Sequence, residues 1–336
     1  YGKTGGTVSA SYGNFSAKNI LGVANIAVGD QSAFRVAANY AAHDGYLSDG
    51  SGDENAKGIR AQYRAEVTPA LSVRVAADYE KLSGVTSAST ILTGTFAFNA
   101  TTQQYVVTPA GFGSTVGVND PLVQAFRSTL FNANIGRNLA PQFPGPSYEN
   151  KYTGVNAEVS YKVGPGSFVF LPGYRKAKLI QGGAAGPLYD EDSNQKTFEA
   201  RFDGNRVGIF DYLLGVYYYD EHVVGNYTFY QPFSNVFQDL VSDTKSYAGF
   251  ARLTAHATDR LRFVGGVRYT RDEKHMNGTA DNMTLRCTVT VAGRASCPTG
   301  PLNVIQDTPA QMAAFYGIAL PAANGVAVPI PGTGLT

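Results

Sequence analysis

The side chains able to do chemistry lie far apart along the chain. His43, His222, His256 and His275 share no ligand spacing, so they are expected to be polar strand-end residues and no metal site is expected. Asp49-Gly50-Ser51-Gly52-Asp53-Glu54 offers oxygens that suit calcium. It lacks the order of acidic residues and glycine that an EF-hand loop requires, and reads as a solvated loop. Asp190-Glu191-Asp192 reads likewise as a solvated acidic tip. Asp78 and Glu80 are two residues apart, as are Glu199 and Arg201. On a strand that spacing puts each pair on one face. Paired carboxylates can do acid–base work; the expectation here is that they bond to arginines across a sheet. The sequence holds no His-Glu-x-x-His, Walker loop, Gly-x-Ser-x-Gly or Cys-x-x-Cys. No catalytic residue and no cofactor is expected.

Composition narrows the class. Charged residues are 16% of the 336, against roughly 25% in soluble domains. The net charge of +1 offers no field for nucleic acid, which is not expected as a partner. Hydrophobic residues at 43% are too many for a disordered chain. The 38 glycines are above average usage, and the 21 tyrosines and 19 phenylalanines are abundant while Trp is absent. Two cysteines cannot make a disulfide scaffold. No apolar run is long enough for a membrane helix, which needs roughly 18 residues.

The elements that must position these residues follow from alternation. Ile59, Ala61, Tyr63, Ala65 and Val67 oppose Arg60, Gln62, Arg64 and Glu66. Leu71, Val73, Val75, Ala77 and Tyr79 oppose Ser72, Arg74, Ala76, Asp78 and Glu80. Phe34–Tyr40 and Leu261–Thr270 behave the same way. Strand side chains point alternately to opposite faces, so each segment is a strand with one apolar side. About eleven strands are predicted, near 3–12, 18–28, 32–45, 56–67, 71–82, 151–163, 167–180, 194–203, 209–224, 243–256 and 261–275. Tight turns at 29–31, 68–70, 164–166, 204–206 and 257–260 alternate with longer links at 46–55, 83–150, 181–193, 225–242 and from 276 on. The link near 14–17 is short. Asp120-Pro121 and Thr308-Pro309 each start a short predicted helix inside a long link, the second over Pro309–Tyr316.

A soluble sandwich also alternates. Here many strands reach ten residues, and roughly 9–11 suffice to cross a bilayer at a tilt. Short turns on one rim and long loops on the other describe an outer-membrane barrel. Tyr12, Tyr40, Tyr46, Tyr79, Tyr152, Tyr161, Tyr174, Tyr218 and Tyr269 recur at strand ends, where an interfacial aromatic girdle would lie. The expected fold is all-β: an antiparallel transmembrane β-barrel, incomplete at about half its strands. Eleven strands leave open edges, which lipid forbids, so further strands are expected beyond Thr336. The lumen-facing candidates from alternation are Arg35, Arg60, Arg64, Arg74, Asp78, Glu80, Glu158, Glu199, Arg201, Arg252 and Arg268. Cys287 and Cys297, in the last link, are a disulfide candidate because the cell exterior is oxidising. Two free thiols are the alternative.

Several segments resemble a known family. Gly5-Gly6-Thr7-Val8-Ser9-Ala10-Ser11-Tyr12-Gly13-Asn14-Phe15 resembles the first barrel strand of TonB-dependent receptors. Phe34–Tyr40 with His43-Asp44-Gly45-Tyr46 resembles their third strand and its loop. Gln195–Phe202 and Phe210–Tyr218 are similar to one of their hairpins. So is the series Ser246-Tyr247-Ala248-Gly249-Phe250, Thr258-Asp259-Arg260-Leu261 and Gly265–Asp272. The resemblance spans about residues 3–275, with the link 83–150 poorly covered, and these motifs mark strands and turns rather than ligand contacts. It implies that residues 1–336 are the N-terminal part of a receptor barrel of about 22 strands, with long external loops at 83–150 and 276–336. The family's plug domain and TonB-binding box are not in this segment. The implied function is energy-coupled uptake of a scarce nutrient, such as a ferric siderophore, across the outer membrane of a Gram-negative bacterium. The implied partners are outer-membrane lipid, the TonB complex through the N-terminal region and a small-molecule or metal-chelate substrate. A passive porin-like channel and a secreted β-rich glycan-binding protein or enzyme are the alternatives.

Overall fold

The computed structural model describes residues 3–85, 90, 93–99, 101–102, 104–131, 147–182, 188–231, 234–284, 286, 288–291, 294–296, 308–320, 325–330 and 336. The strands are β1 (Gly5–Tyr12), β2 (Lys18–Val28), β3 (Ser32–His43), β4 (Glu54–Glu66), β5 (Leu71–Val85), β6 (Thr93–Asn99) and β7 (Gln104–Pro109). After helix α1 (Pro121–Phe131) come β8 (Ser147–Val163), β9 (Gly166–Gln181), β10 (Leu188–Val207), β11 (Phe210–Gln231), β12 (Ser234–His256) and β13 (Arg262–Thr284). Two short strands, β14 (Val289–Val291) and β15 (Arg294–Ser296), precede α2 (Pro309–Tyr316). Both helices begin at the prolines the sequence marks. Thr308 caps α2 by accepting a hydrogen bond from the Gln311 N–H.

Eleven strands form one antiparallel sheet in the order β1-β2-β3-β4-β5-β8-β9-β10-β11-β12-β13. Chain neighbours pair throughout, with the β6–β7 hairpin and α1 placed between β5 and β8. The tight links are made by specific residues. Gly29 and Gly164 take positive φ at two of them; the turn expected at 204–206 falls later, because β10 continues to Val207, and Gly208 takes positive φ there. At two more, Thr68 and Thr258 each accept bonds from the N–H groups two and three residues on.

The other rim differs from the sequence expectation. Most of the expected link 225–242 is strand: β11 runs to Gln231 and β12 starts at Ser234, with Gln231 opposite Ser234. Likewise β10 starts at Leu188, within the expected link 181–193, and β13 runs to Thr284, past the expected 275. The apolar-to-polar alternation fades there, but the backbone ladder does not need it. Tyr227, Phe229 and Phe237 supply β-forming side chains.

The register sorts the side chains cleanly. Arg64 lies opposite Arg74 while Tyr63 lies opposite Val75, so the two residues face opposite ways. One face carries Phe34, Ile59, Tyr63, Val75, Tyr79, Val155, Phe170, Tyr174, Phe198, Leu214, Val216, Tyr247 and Val267. These side chains are open rather than packed: Val75 is 42% and Val216 55% exposed. The residues buried in the described chain sit largely in the links and strand ends, such as Ser51, Val123, Asn235 and Met312.

Candidate functional site

The polar face of the sheet is the candidate site. Arg35, Arg60, Arg64, Arg74, Asp78, Glu80, Glu158, Glu199, Arg201, Arg252 and Arg268 all fall on it by register. Six of them, with Arg175 and Asp203, form three ion-paired groups. Arg60 Nη1 donates to Asp78 Oδ1 at 3.0 Å, and Arg175 Nη1 lies 3.5 Å from Asp78 Oδ2. Asp78 therefore sits between two guanidinium groups. Its carboxylate lies over Gly154, where an added Cβ would come within 3.0 Å of Asp78 Oδ2. Arg74 Nη2 donates to Glu158 Oε2 at 2.9 Å, and its Nη1 donates to Asn156 at 3.3 Å. Further along, Arg201 donates to Glu199 at 2.9 Å and to Asp203 at 3.2 Å.

Arg35 donates to Asn25 at 2.9 Å. Arg268 lies over the rings of Tyr217 and Phe250, 5.7 and 5.6 Å from their centroids. Phe250 lies across Gly215, whose missing side chain leaves room for the ring: a Cβ there would be 2.2 Å from it. Glu80 lies opposite Gly58 and Tyr152. Arg252 lies opposite Leu213 and Gly266. The arrangement is a wall of guanidinium and carboxylate groups that hold one another in place. It can bind polar or charged chains; Coulomb attraction at these half-exposed positions is modest.

Several sequence expectations need correction. Tyr152 belongs to the polar face, where it faces Glu80 and carries the Arg175 guanidinium 5.8 Å from its ring, not to an aromatic belt on the apolar face. The register parity of β8 decides this, since Tyr152 shares a face with Asn156 and Glu158. The stretch 49–54 is not a solvated loop. Ser51 is fully buried, and Asp49 accepts bonds from the N–H and Oγ of Ser51 and from the Asn119 N–H at 2.9 Å. Ser48 Oγ donates to Asp120 at 2.5 Å. The two links thus lock together, and Asp49 lies where a side chain at Gly117 would be. Burial alone would raise the Asp49 carboxyl; the bonds from Ser51 and Asn119 outweigh it and hold the group below its usual value. Asp190-Glu191-Asp192 is likewise built into β10, with Glu191 accepting from Tyr227 Oη and Asp192 3.2 Å from Lys176.

Three of the four histidines meet carboxylates on neighbouring strands, His43 at 3.6 Å from Glu54. His256 pairs with Asp211 and His222 with Asp243. His43 stacks on Tyr46, with ring centroids 4.8 Å apart. Cys287 and Cys297 lie outside the described residues. Sequence reading missed the locked links and the seat of α2, where buried Asn235 donates to Met312 Sδ at 3.0 Å. Both join residues separated by about 70 positions, so no local pattern could reveal them.

No family model matches the chain, and neither does any curated protein sequence. Solved structures do match. The ferric yersiniabactin uptake receptor FyuA from Yersinia pestis superposes with a TM-score of 0.58 at 13% identity, over 84% of this chain and 43% of its own. The open form of the ferric-catecholate import receptor Fiu from E. coli K12 gives 0.55 at 14% identity, over 89% and 48%. The alcaligin outer-membrane receptor FauA from Bordetella pertussis gives 0.55 at 10%, over 84% and 40%. The sheet therefore has the fold of part of a TonB-dependent receptor barrel, as the sequence resemblance implied. The chain spans less than half the length of these structures, which are transport receptors and not enzymes.

Proposed function

We propose that this chain is part of an outer-membrane receptor that takes up a scarce nutrient, such as a ferric siderophore, by energy-coupled transport. The observation that carries this reading is the split sheet. An apolar face open along β2–β13 is unfavourable in water, where contiguous patches of this kind are rare. The same face fits acyl chains. The ion-paired face then looks into the lumen, where Arg35, Arg60, Arg64, Arg74, Asp78, Glu80, Glu158, Glu199, Arg201, Arg252 and Arg268 line the substrate path or contact a plug. The solved structures of like fold include receptors for ferric yersiniabactin and ferric catecholates, which supports iron chelates as the substrate class.

A sheet in lipid cannot keep open edges. β1 and β13 stand at the two ends of the strand order, so in this reading further strands of the whole protein close the barrel on them. Energy coupling comes from TonB acting on a plug domain outside this segment.

Uptake of radiolabelled iron, presented as defined siderophores to iron-starved cells with and without the gene, tests the proposal. Uptake is expected to require the gene and to stop when a protonophore collapses the proton-motive force. Gene-dependent uptake that persists with the protonophore would identify a passive channel. Unchanged uptake for every chelate offered, with the protein present in the outer membrane, would reject iron chelates as substrates.

A further inference from the structure

The apolar face carries a feature that membrane burial alone does not explain. At the long-link rim, Lys57 lies directly opposite Lys81, Lys81 opposite Lys151, and Lys151 opposite Lys178. Four lysines on β4, β5, β8 and β9 thus form one row, about 14 Å long at the usual strand spacing. Like charges directly opposite one another destabilise a sheet. Glu149 relieves part of this: it bridges Lys81, at 2.6 Å, and Lys151. Lys176, one step nearer the apolar band, pairs with Asp192 at 3.2 Å. Asp190 lies on the same face of β10 beside Asp192, so Lys57, Lys81, Lys151, Lys176 and Lys178 face three carboxylates and two positive charges are left over.

The contrast on the same face is informative. Across β10–β13 the lysine row itself continues as Asp192, Val224, Val241 and Asn277, and a separate row four residues along β10 reads Lys196, Asp220, Lys245 and Glu273, with sign alternating at every step. That row neutralises itself. At the opposite rim, the face ends in Leu71, Tyr161, Phe168 and Phe202. Excess lysine is therefore confined to one rim and one arc. It lies just beyond Ile59, Tyr79 and Tyr174, where the apolar band stops. Lysine stems can run along apolar surface while their ammonium groups reach a polar layer.

We infer that the Lys57–Lys81–Lys151–Lys178 row is a binding site for a lipid of the outer leaflet that carries headgroup phosphates, its acyl chains lying on the apolar band below. This rests on the membrane-barrel reading above. Charge complementarity selects the ligand: a phosphate takes charge-assisted bonds from several ammonium groups at once. Basic clusters at a membrane boundary recognise anionic headgroups in this way.

The test uses the full-length receptor purified in detergent, with retained lipid counted by native mass spectrometry. The probes are lipid A with two phosphates, lipid A with one, phosphatidylglycerol and inorganic phosphate as competitor. Retention is expected to follow phosphate number. The triple variant Lys81→Gln/Lys151→Gln/Lys178→Gln is expected to lower retention of the two-phosphate lipid roughly tenfold or more. Lys245→Gln, in the self-neutralised row, is expected to leave it unchanged. Equal retention by the triple variant and the parent overturns the inference, as does equal retention of all lipids. Competition by millimolar inorganic phosphate as effective as that by lipid assigns the row to free phosphate and overturns it too. Heat-modifiable gel migration separates the two levels. A triple variant that shows it and binds like the parent removes only the lipid site. A full-length protein that never shows it removes the barrel reading and this site with it.

Discussion

Asp49 shows how much one side chain can organise on this rim. Its two oxygens reach Ser51 in its own link and the Asn119 N–H in another. Gly117 leaves the space that the carboxylate fills, since a Cβ there would lie 2.0 Å from Asp49 Cγ. Replacing Asp49 by Asn should cost the lock about 1–3 kcal/mol, because an amide offers a donor where the Asn119 N–H needs an acceptor. Hydrogen exchange in the full-length protein should show lost protection at Ser51 and Asn119 with the β4–β5 ladder unchanged. Gly117→Ala should do the same by displacing the carboxylate. The sign of the pH effect follows from the lowered Asp49 pKa. A carboxylate favoured by the folded state stabilises it above its ordinary value of 3.8, and the contribution is lost as pH falls through the lower folded value. Protection factors at Asn119 should hold at neutral pH and decline only as pH falls below the ordinary carboxylate value; constant protection through that acid range would remove Asp49 from the lock. The stretch 49–54 reads in sequence as a solvated loop because its partners lie in another link.

At the scale of the strand, alternation decides everything, since a shift of one residue exchanges the two faces. Val75 and Gln62 test the assignment from opposite sides of adjacent strands. In the barrel reading, Val75→Arg places a cation among acyl chains and should destabilise the full-length protein by about 2–4 kcal/mol in vesicles. Gln62→Arg adds the same charge to the polar face and should change stability by less than about 0.5 kcal/mol. Reversible urea unfolding in vesicles measures both; equal effects would contradict the two-faced sheet. The sequence periodicity located β4 and β5 to within a few residues because each alternates strictly. It underestimated β10–β13 because their distal halves carry Tyr, Asp, Asn and Val on both faces. There the backbone ladder persists without a pattern that sequence reading can follow.

For the whole molecule, the barrel reading makes the sheet part of a surface that lipid requires to be closed. The full-length protein is accordingly expected in the outer-membrane fraction. Its folded form should resist SDS unboiled and migrate differently after boiling. A soluble sandwich would instead bury Leu71, Val73 and Val75 under a second layer and appear in the soluble fraction. The lysine row adds an asymmetry between the rims that a bilayer with two unlike leaflets would exploit.

Sequence alone determined the two-sided strands, the placement of four of the five tight turns, both helix starts and the division between charged and apolar faces, because each depends on neighbours within a few residues. Tertiary structure alone decided which charges meet. Asp78 lies between Arg60 and Arg175, Asp49 reaches Asn119, Tyr152 joins the polar face, and four lysines line up across β4, β5, β8 and β9. Those outcomes depend on the register between strands that are distant in the chain, and register is a property of the assembled sheet rather than of any one segment.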